Sequence, residues 1–184
     1  MYVVRKVLPT EYGKYRTHLK SLDLESRTLR FASPVTDEII DQICDKVEFD
    51  TENHVLFAIE NDKLEFIAVG HVALFDDMEL AFSVHKDYQG HGLGNLLMKR
   101  VIQHCRTIGH LKGHMVCLPH NQAIKHLCTK HGIKIHTESG ETLGDVDLPD
   151  PNVSTYVSEA TDRNIAIMDF MAKRTMLPWT ILSR

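Results

Sequence analysis

The middle of the chain joins a strand-like run, a glycine-rich loop and an amphipathic helix without interruption. The run MELAFSV (78–84) alternates as a strand does, and three glycines follow at positions 90, 92 and 94. Apolar residues then recur at helical spacing: Leu93, Leu97, Val101, Cys105 and Ile108. Glycines leave backbone N–H groups free to surround an anion, and a helix N-terminus adds partial positive charge. The segment therefore predicts an anion-binding loop, with a tight turn that binds nothing as the alternative.

Two common phosphate-binding loops do not match this segment. A Walker A loop ends in Gly-Lys-Ser or Gly-Lys-Thr, whereas this loop ends in Gly94-Asn95-Leu96. A dinucleotide-binding loop needs the spacing GxGxxG, but here single residues separate Gly90, Gly92 and Gly94. The expected anion site is therefore of another kind.

The charge distribution supports an anion site in the same region. No Asp or Glu occurs from Tyr88 to Thr137, although the chain as a whole has a net charge of −4. Seven cationic residues lie in that stretch: Lys99, Arg100, Arg106, Lys112, Lys125, Lys130 and Lys134. Clustered cations produce a local positive potential that attracts a multiply charged anion. A solvated positive face without a ligand is the alternative interpretation.

Periodicity along the rest of the chain predicts a mixed sheet flanked by helices. Strands are expected at 1–8, 54–60, 64–75, 78–84 and 114–118, with a hairpin over 133–148 that turns at Ser139-Gly140. Helices are expected at 10–22, 36–47, 93–108, 121–132 and 158–176, and a loop at 21–34. This order is typical of the α+β class, with a mostly antiparallel twisted sheet of about seven strands.

Length and composition exclude several classes of protein. The 184 residues suit one domain, which we expect over 1–157, with a helix and tail at 158–184 packed on it. No apolar run is long enough for a membrane span. The four cysteines show no CxxC spacing and are expected to be buried thiols of a cytoplasmic protein. The negative net charge argues against a nucleic-acid partner.

The glycine-rich loop resembles the corresponding loop of a known family. Gln89-Gly90-His91-Gly92-Leu93-Gly94 is similar to the Gln/Arg-x-x-Gly-x-Gly/Ala loop of the GNAT superfamily of acyl-CoA-dependent N-acetyltransferases. SLDLESRTLRF (21–31) resembles a stretch in the GNAT domains of bacterial protein lysine acetyltransferases. The resemblance spans roughly residues 1–150. It implies a GNAT fold and acetyl-CoA as co-substrate.

The resemblance also implies which residues bind the coenzyme. The amides of Gln89, Gly90, His91, Gly92, Leu93, Gly94 and Asn95 would hold the pyrophosphate. The backbone near Phe82 and Val84 would pair with pantetheine, and the Asn121 side chain would touch it. Many relatives place a Tyr seven residues after that Asn to protonate the departing thiolate, whereas this chain has Cys128.

Glu79 is the candidate general base. Strand alternation places Glu79, Ala81 and Ser83 on one face of the strand before the loop. The position also resembles a Glu that is interpreted as the base in bacterial lysine acetyltransferases. Acetyl transfer needs a neutral amine, and most amines are protonated near pH 7, so a proton acceptor is required. A solvent-facing Glu at a strand start is the alternative.

The expected function is therefore acetyl transfer from acetyl-CoA to a primary amine, either a small molecule or a protein lysine, by direct attack in a ternary complex. The alternative is a GNAT-like module that binds or senses CoA without catalysis. No metal is expected, because the many His and Cys residues lack ligand spacing. The apolar residues of 158–176 exceed one stripe, which predicts packing on the domain and a possible homodimer contact.

Overall fold

Seven strands form one sheet in the computed structural model, which describes residues 2–138 and 141–182. Their order across the sheet is β1-β2-β3-β4-β5-β7-β6. The strands are β1 (Val4–Lys6), β2 (His54–Glu60), β3 (Phe66–Leu74), β4 (Met78–Val84), β5 (Lys112–Cys117), β6 (Lys134–Glu138) and β7 (Glu141–Asp147). All neighbouring pairs are antiparallel except β4 and β5. This arrangement confirms the predicted fold class.

Six α-helices lie against the sheet in the described part of the chain. They are α1 (Tyr12–Ser21), α2 (Leu24–Phe31), α3 (Asp37–Phe49), α4 (Leu93–Ile108), α5 (Gln122–Lys130) and α6 (Val153–Leu182). The helix α6 begins five residues earlier than expected and continues beyond 176. The expected turn at Ser139-Gly140 lies outside the described residues.

The expectation of a loop over 21–34 was wrong, because α2 occupies most of that segment. Asp23 begins the helix by accepting a hydrogen bond from the N–H of Ser26 at 2.8 Å. Only Ser26 of this helix is buried, and Leu24 is largely exposed. A helix of eight residues with so little buried apolar surface shows no clear hydrophobic periodicity. Its N-cap, Asp23, is the sequence pattern that marks where it begins.

The sheet has a hydrophobic core on each face. On one face, Phe57, Val72 and Leu80 pack with Leu97 and Val101 of α4. On the other, Leu56, Ala58 and Val69 pack with the buried residues of α1 and α3. Alternate residues of the central strands enter the two cores, because strand side chains point to opposite faces. These cores hold β4 rigidly in the middle of the sheet.

A buried ion pair fastens α6 to α4. Arg100 Nη1 and Nη2 donate to the Glu159 carboxylate at 2.5 and 2.8 Å, and His104 Nδ1 lies 3.4 Å from the same group. Burial alone would raise the pKa of Glu159, but hydrogen bonds from His104 and Arg100 lower that pKa to about 2. The Glu159 carboxylate therefore stays ionised throughout the neutral range.

Glu159→Gln should lower the free energy of unfolding by about 3 kcal/mol, because it leaves the buried Arg100 cation without its counter-charge. A carboxylate with a lowered pKa stabilises the fold fully above its ordinary pKa of 4.5, and this contribution is lost as the pH falls toward 2. Thermal unfolding of both proteins at pH 7 and below pH 4.5 checks this prediction. The difference in unfolding free energy between wild type and variant should be smaller in acid. Asp162→Asn on the same helix is the control. A difference in unfolding free energy that stays constant with pH would contradict the role of the ionised Glu159 carboxylate.

The outer face of α6 keeps much of its apolar surface exposed. Tyr156, Val157, Met168, Met171 and Met176 are each at least half exposed. A homodimer through this face stays a prediction. Among the described residues, no helix combines the length and the apolar character needed to cross a membrane.

Candidate active site

The site is built where β4 and β5 separate. The two strands pair only through Met78 with Gly113 and Glu79 with His114, after which they diverge. A Cβ at Gly113 would lie 2.1 Å from the Met78 carbonyl oxygen, so only glycine permits this close approach. The backbone of β4 beyond the junction is therefore open to a ligand that runs between the strands.

The loop after β4 presents its backbone to the same opening. Gly90 and Gly92 have φ of 79° and 77°, in the left-handed region that favours glycine. Gln89 Nε2 donates to the Val84 carbonyl oxygen and to Ser26 Oγ, both at 3.2 Å. These bonds fix the start of the loop against β4 and α2.

The helix α4 begins at this loop with its N–H groups uncapped. Gly92 is the N-cap residue and provides no side-chain hydrogen bond, and the Leu96 N–H makes a bond to the Gly92 carbonyl oxygen. In the described chain, no side chain therefore accepts from the N–H groups of the first turn, from Leu93 to Asn95. Free N–H groups at a helix N-terminus are suited to a phosphate or pyrophosphate.

A cavity of about 490 Å³ joins the opening, the loop and α5. No Asp or Glu is among its lining residues, whereas Arg30 and Lys130 contribute cations. It contains nine of the ten residues expected at the coenzyme site: Phe82, Val84, Gln89, Gly90, Gly92, Leu93, Gly94, Asn95 and Asn121. His91 does not line it, because its ring turns back to the carbonyl oxygens of Tyr88 and Gln89. A cavity of this charge suits a polyanionic ligand.

Asn121 and Cys128 have different surroundings on α5. Asn121 Oδ1 caps the helix by accepting from the Ile124 N–H at 3.2 Å, and the residue also lines the cavity. Cys128 is fully buried in the core and is not part of the cavity wall. Burial raises the pKa of its thiol to about 11. Cys128 is therefore not placed to give a proton to a thiolate in this cavity.

Glu79 is exposed and is not among the residues that line the cavity. Its cross-strand neighbours are Ala73 on β3 and His114 on β5. It shares a face with Ala81 and Ser83, as alternation predicts, and Ser83 lines the cavity. The carboxylate thus lies at the junction of β4 and β5, on the face covered by α1 and α2.

A buried histidine supports the strand on that face. His18 Nδ1 lies 2.9 Å from the Phe66 carbonyl oxygen, and its Nε2 lies 2.9 Å from Ser83 Oγ. Burial lowers the pKa of His18 to about 4, so the ring is neutral near pH 7. A neutral ring that donates from Nδ1 to the carbonyl must accept the Ser83 hydroxyl proton at Nε2. This contact orients the Ser83 hydroxyl in the cavity wall.

The cavity-lining residues that sequence reasoning missed lie mainly on α2 and on α5, where they include Ala123, Ile124, His126 and Leu127. Ser26, Leu29 and Arg30 line the cavity, and no role was predicted for their side chains. Arg30 was visible only as part of the stretch 21–31 that resembles bacterial lysine acetyltransferases. All four cysteines are free and buried, as expected. Within residues 2–138 and 141–182, no group of three or more His, Cys, Asp or Glu is placed to hold a metal ion.

A family model defines the class of this protein. The model of the acetyltransferase (GNAT) family matches residues 19–133, which is more than half of the chain and includes α2, β4, the loop and α5. The chain belongs to this family.

Individual relatives agree with that class. Acetyltransferase Pat of Mycolicibacterium smegmatis is 26% identical over 174 residues, which cover 88% of this chain and 50% of that protein. The chain thus spans about half the length of this relative. The GNAT domain of S. lividans PAT has the same fold, with a TM-score of 0.65, 21% identity, and coverage of 79% of this chain and 89% of that domain.

A further solved structure was determined with its cofactor acetyl-CoA. It is yncA from Salmonella typhimurium, with a TM-score of 0.64 and 16% identity, and the match covers 83% of this chain and 97% of that one. At this identity the likeness shows the fold alone.

Proposed function

We propose that this protein transfers the acetyl group of acetyl-CoA to a primary amine. The observation that carries the proposal is the acid-free cavity between β4, the glycine loop and α5, into which an uncapped helix N-terminus opens. A multiply charged phosphate ester with a long neutral arm matches that cavity in charge and shape. Membership of the acetyltransferase family supports the same reaction.

Different residues of the cavity would bind different parts of the coenzyme. The loop and the first turn of α4 would bind the pyrophosphate through backbone N–H groups, because an anion replaces the missing cap. The open edge of β4 at Phe82 and Val84 would hydrogen-bond the pantetheine arm as a neighbouring strand would. The Asn121 amide nitrogen stays available for the same arm, since Oδ1 is used to cap α5.

Glu79 would accept the proton that the acceptor ammonium must lose. The neutral amine then attacks the thioester carbonyl carbon in a ternary complex, the new C–N bond forms, and the C–S bond breaks. As the amide forms, the nitrogen gives up its second proton to solvent. The sulfur leaves as a thiolate, and we assign the source of its proton to the solvent as well, because Cys128 lies in the core. An exposed carboxylate can exchange its proton with water after each turnover.

A module that binds CoA without catalysis is the second candidate function. The observation in its favour is the position of Cys128, which is buried where many relatives carry a tyrosine acid. Such a module needs the loop and the cavity but has no use for Glu79.

We also propose that the protein acts in the cytoplasm, where its four free thiols would stay reduced.

A thiol-release assay separates the two candidates. The chain is incubated with acetyl-CoA and, separately, with α-amino acids, polyamines, aminoglycosides and lysine-containing peptides. Release of free thiol should depend on both the acceptor and the enzyme, and it should rise with pH as more amine is neutral. Calorimetry with CoA is done in parallel. Tight CoA binding without acceptor-dependent thiol release would support the binding module instead.

A further inference from the structure

Arg30 is a cation in the cavity wall that no carboxylate neutralises. Its Nη2 donates to the hydroxyl of Tyr15 at 3.0 Å and to Nδ1 of His71 at 3.3 Å. Its Nε and Nη1 donate to no atom of the described chain, and it forms no ion pair there. Other arginines of the protein bind carboxylates: Arg5, Arg16, Arg27 and Arg100.

The groups that hold Arg30 are neutral. Burial raises the pKa of Tyr15, and burial lowers the pKa of His71 well below its usual value. His71 accepts at Nδ1, so its proton is on Nε2, from which it donates to His54 Nδ1 at 3.0 Å. The guanidinium also lies over the Phe31 ring, 4.8 Å from its centroid. Tyr15, His71 and Phe31 therefore hold the guanidinium without a counter-charge.

The sheet register places this charge on the same face of the sheet as Glu79. His71 on β3 lies opposite Ala81 on β4, so the guanidinium that contacts His71 stands on the Ala81 face of the sheet. Glu79 occupies the same face two residues away, about 6.6 Å along the strand. The candidate base and an unpaired cation thus share the face of the sheet that would receive the acceptor.

We infer that the acceptor amine carries a carboxylate close to its nitrogen, as an α-amino acid does, and that Arg30 binds this carboxylate. The inference rests on the proposed function and names its substrate class. The amine would be directed to Glu79, while the carboxylate reaches the free N–H groups of Arg30. Polyamines are disfavoured at such a site because a second ammonium group would meet the Arg30 charge.

Matched acceptors test the inference. The thiol-release rate is measured for the proteinogenic α-amino acids, each beside its α-carboxamide, and for spermidine and an acetylatable lysine peptide. In the wild-type protein, kcat/KM for the best amino acid should exceed that of its amide by about 10- to 100-fold, as expected for a charge-assisted hydrogen bond. The difference should fall mainly on KM.

The variants Arg30→Gln and Arg30→Lys then separate charge recognition from a structural effect. In Arg30→Gln the ratio of kcat/KM for the amino acid to kcat/KM for its amide should fall to near one. Arg30→Lys should keep part of this preference. Arg27→Gln is the control, because this arginine on the same helix binds Asp37 and does not line the cavity. It should leave the ratio unchanged.

Three results would overturn the inference. One is an amide, spermidine or the lysine peptide acetylated as well as any amino acid by the wild-type protein. Another is a decrease in kcat/KM that is equal for all acceptors in Arg30→Gln. Failure to acetylate any amine despite CoA binding would instead remove the proposed function, and the inference with it.

Discussion

Valine at Gly92 or Gly94 should weaken the binding of CoA by roughly 10²-fold or more. Gly92 has φ of 77°, which a β-branched residue adopts only with strain, so the loop would change its path. A Cβ at Gly94 would lie 3.0 Å from Leu127 Cδ1 in the cavity wall, and the larger valine side chain would crowd the opening. Each charge-assisted hydrogen bond lost from a phosphate oxygen removes about 1.5–3 kcal/mol.

Calorimetric titration with CoA measures this effect. Gly13→Ala is a suitable control, because that glycine lies on α1 and an added Cβ meets no other atom there. Wild-type affinity should fall as salt is added, since the site is electrostatic. Unchanged affinity in both valine variants, with the fold intact, would place the coenzyme elsewhere.

Glu79→Gln should lower kcat by about 10²–10⁴-fold while CoA affinity stays the same. Glutamine has nearly the same shape as glutamate but cannot accept the ammonium proton. The acidic limb of the pH–rate profile should flatten in the variant, because that limb would report the protonation of the base. The measurement is steady-state thiol release with a confirmed acceptor.

Asp77→Asn is the matched control for Glu79. It removes a carboxylate from the exposed turn just before β4 and should leave kcat unchanged. Full turnover in Glu79→Gln would exclude Glu79 from the mechanism. It would leave bulk water, or His85 directly after β4, as the proton acceptor. A change in CoA affinity of the same size as the change in kcat would indicate a damaged site rather than a lost base.

Local patterns were enough to predict the elements that carry the coenzyme site. The alternation over 78–84, the three glycines and the helical spacing after Leu93 are each properties of a short segment, and the structure has β4, the loop and α4 at those positions. Their relation in space follows from the chain order alone, because each one begins where the last one ends. That is why eight of the expected residues, all from this one segment, come together in one cavity, whereas Asn121 on α5 was expected only from the family resemblance.

The acceptor side could not be predicted in the same way. Arg30 reaches Tyr15 on α1 and His71 on β3, and these contacts join segments that are 15 and 41 residues apart. The separation of β4 from β5 depends on Gly113 facing Met78 across a parallel pair, which no local pattern describes. Short helices such as α2 add to the difficulty, since tertiary contacts decide whether they form.

The transfer of a labelled acetyl group tests the central claim most directly. The protein is incubated with acetyl-CoA carrying ¹³C in the acetyl group and with the acceptor that gives the fastest thiol release, and the acceptor is then examined by mass spectrometry. The account predicts one labelled acetyl group on the amine nitrogen for each thiol released, with Glu79→Gln forming the same product far more slowly. Thiol release without labelled acceptor would show hydrolysis instead of transfer and would contradict the account.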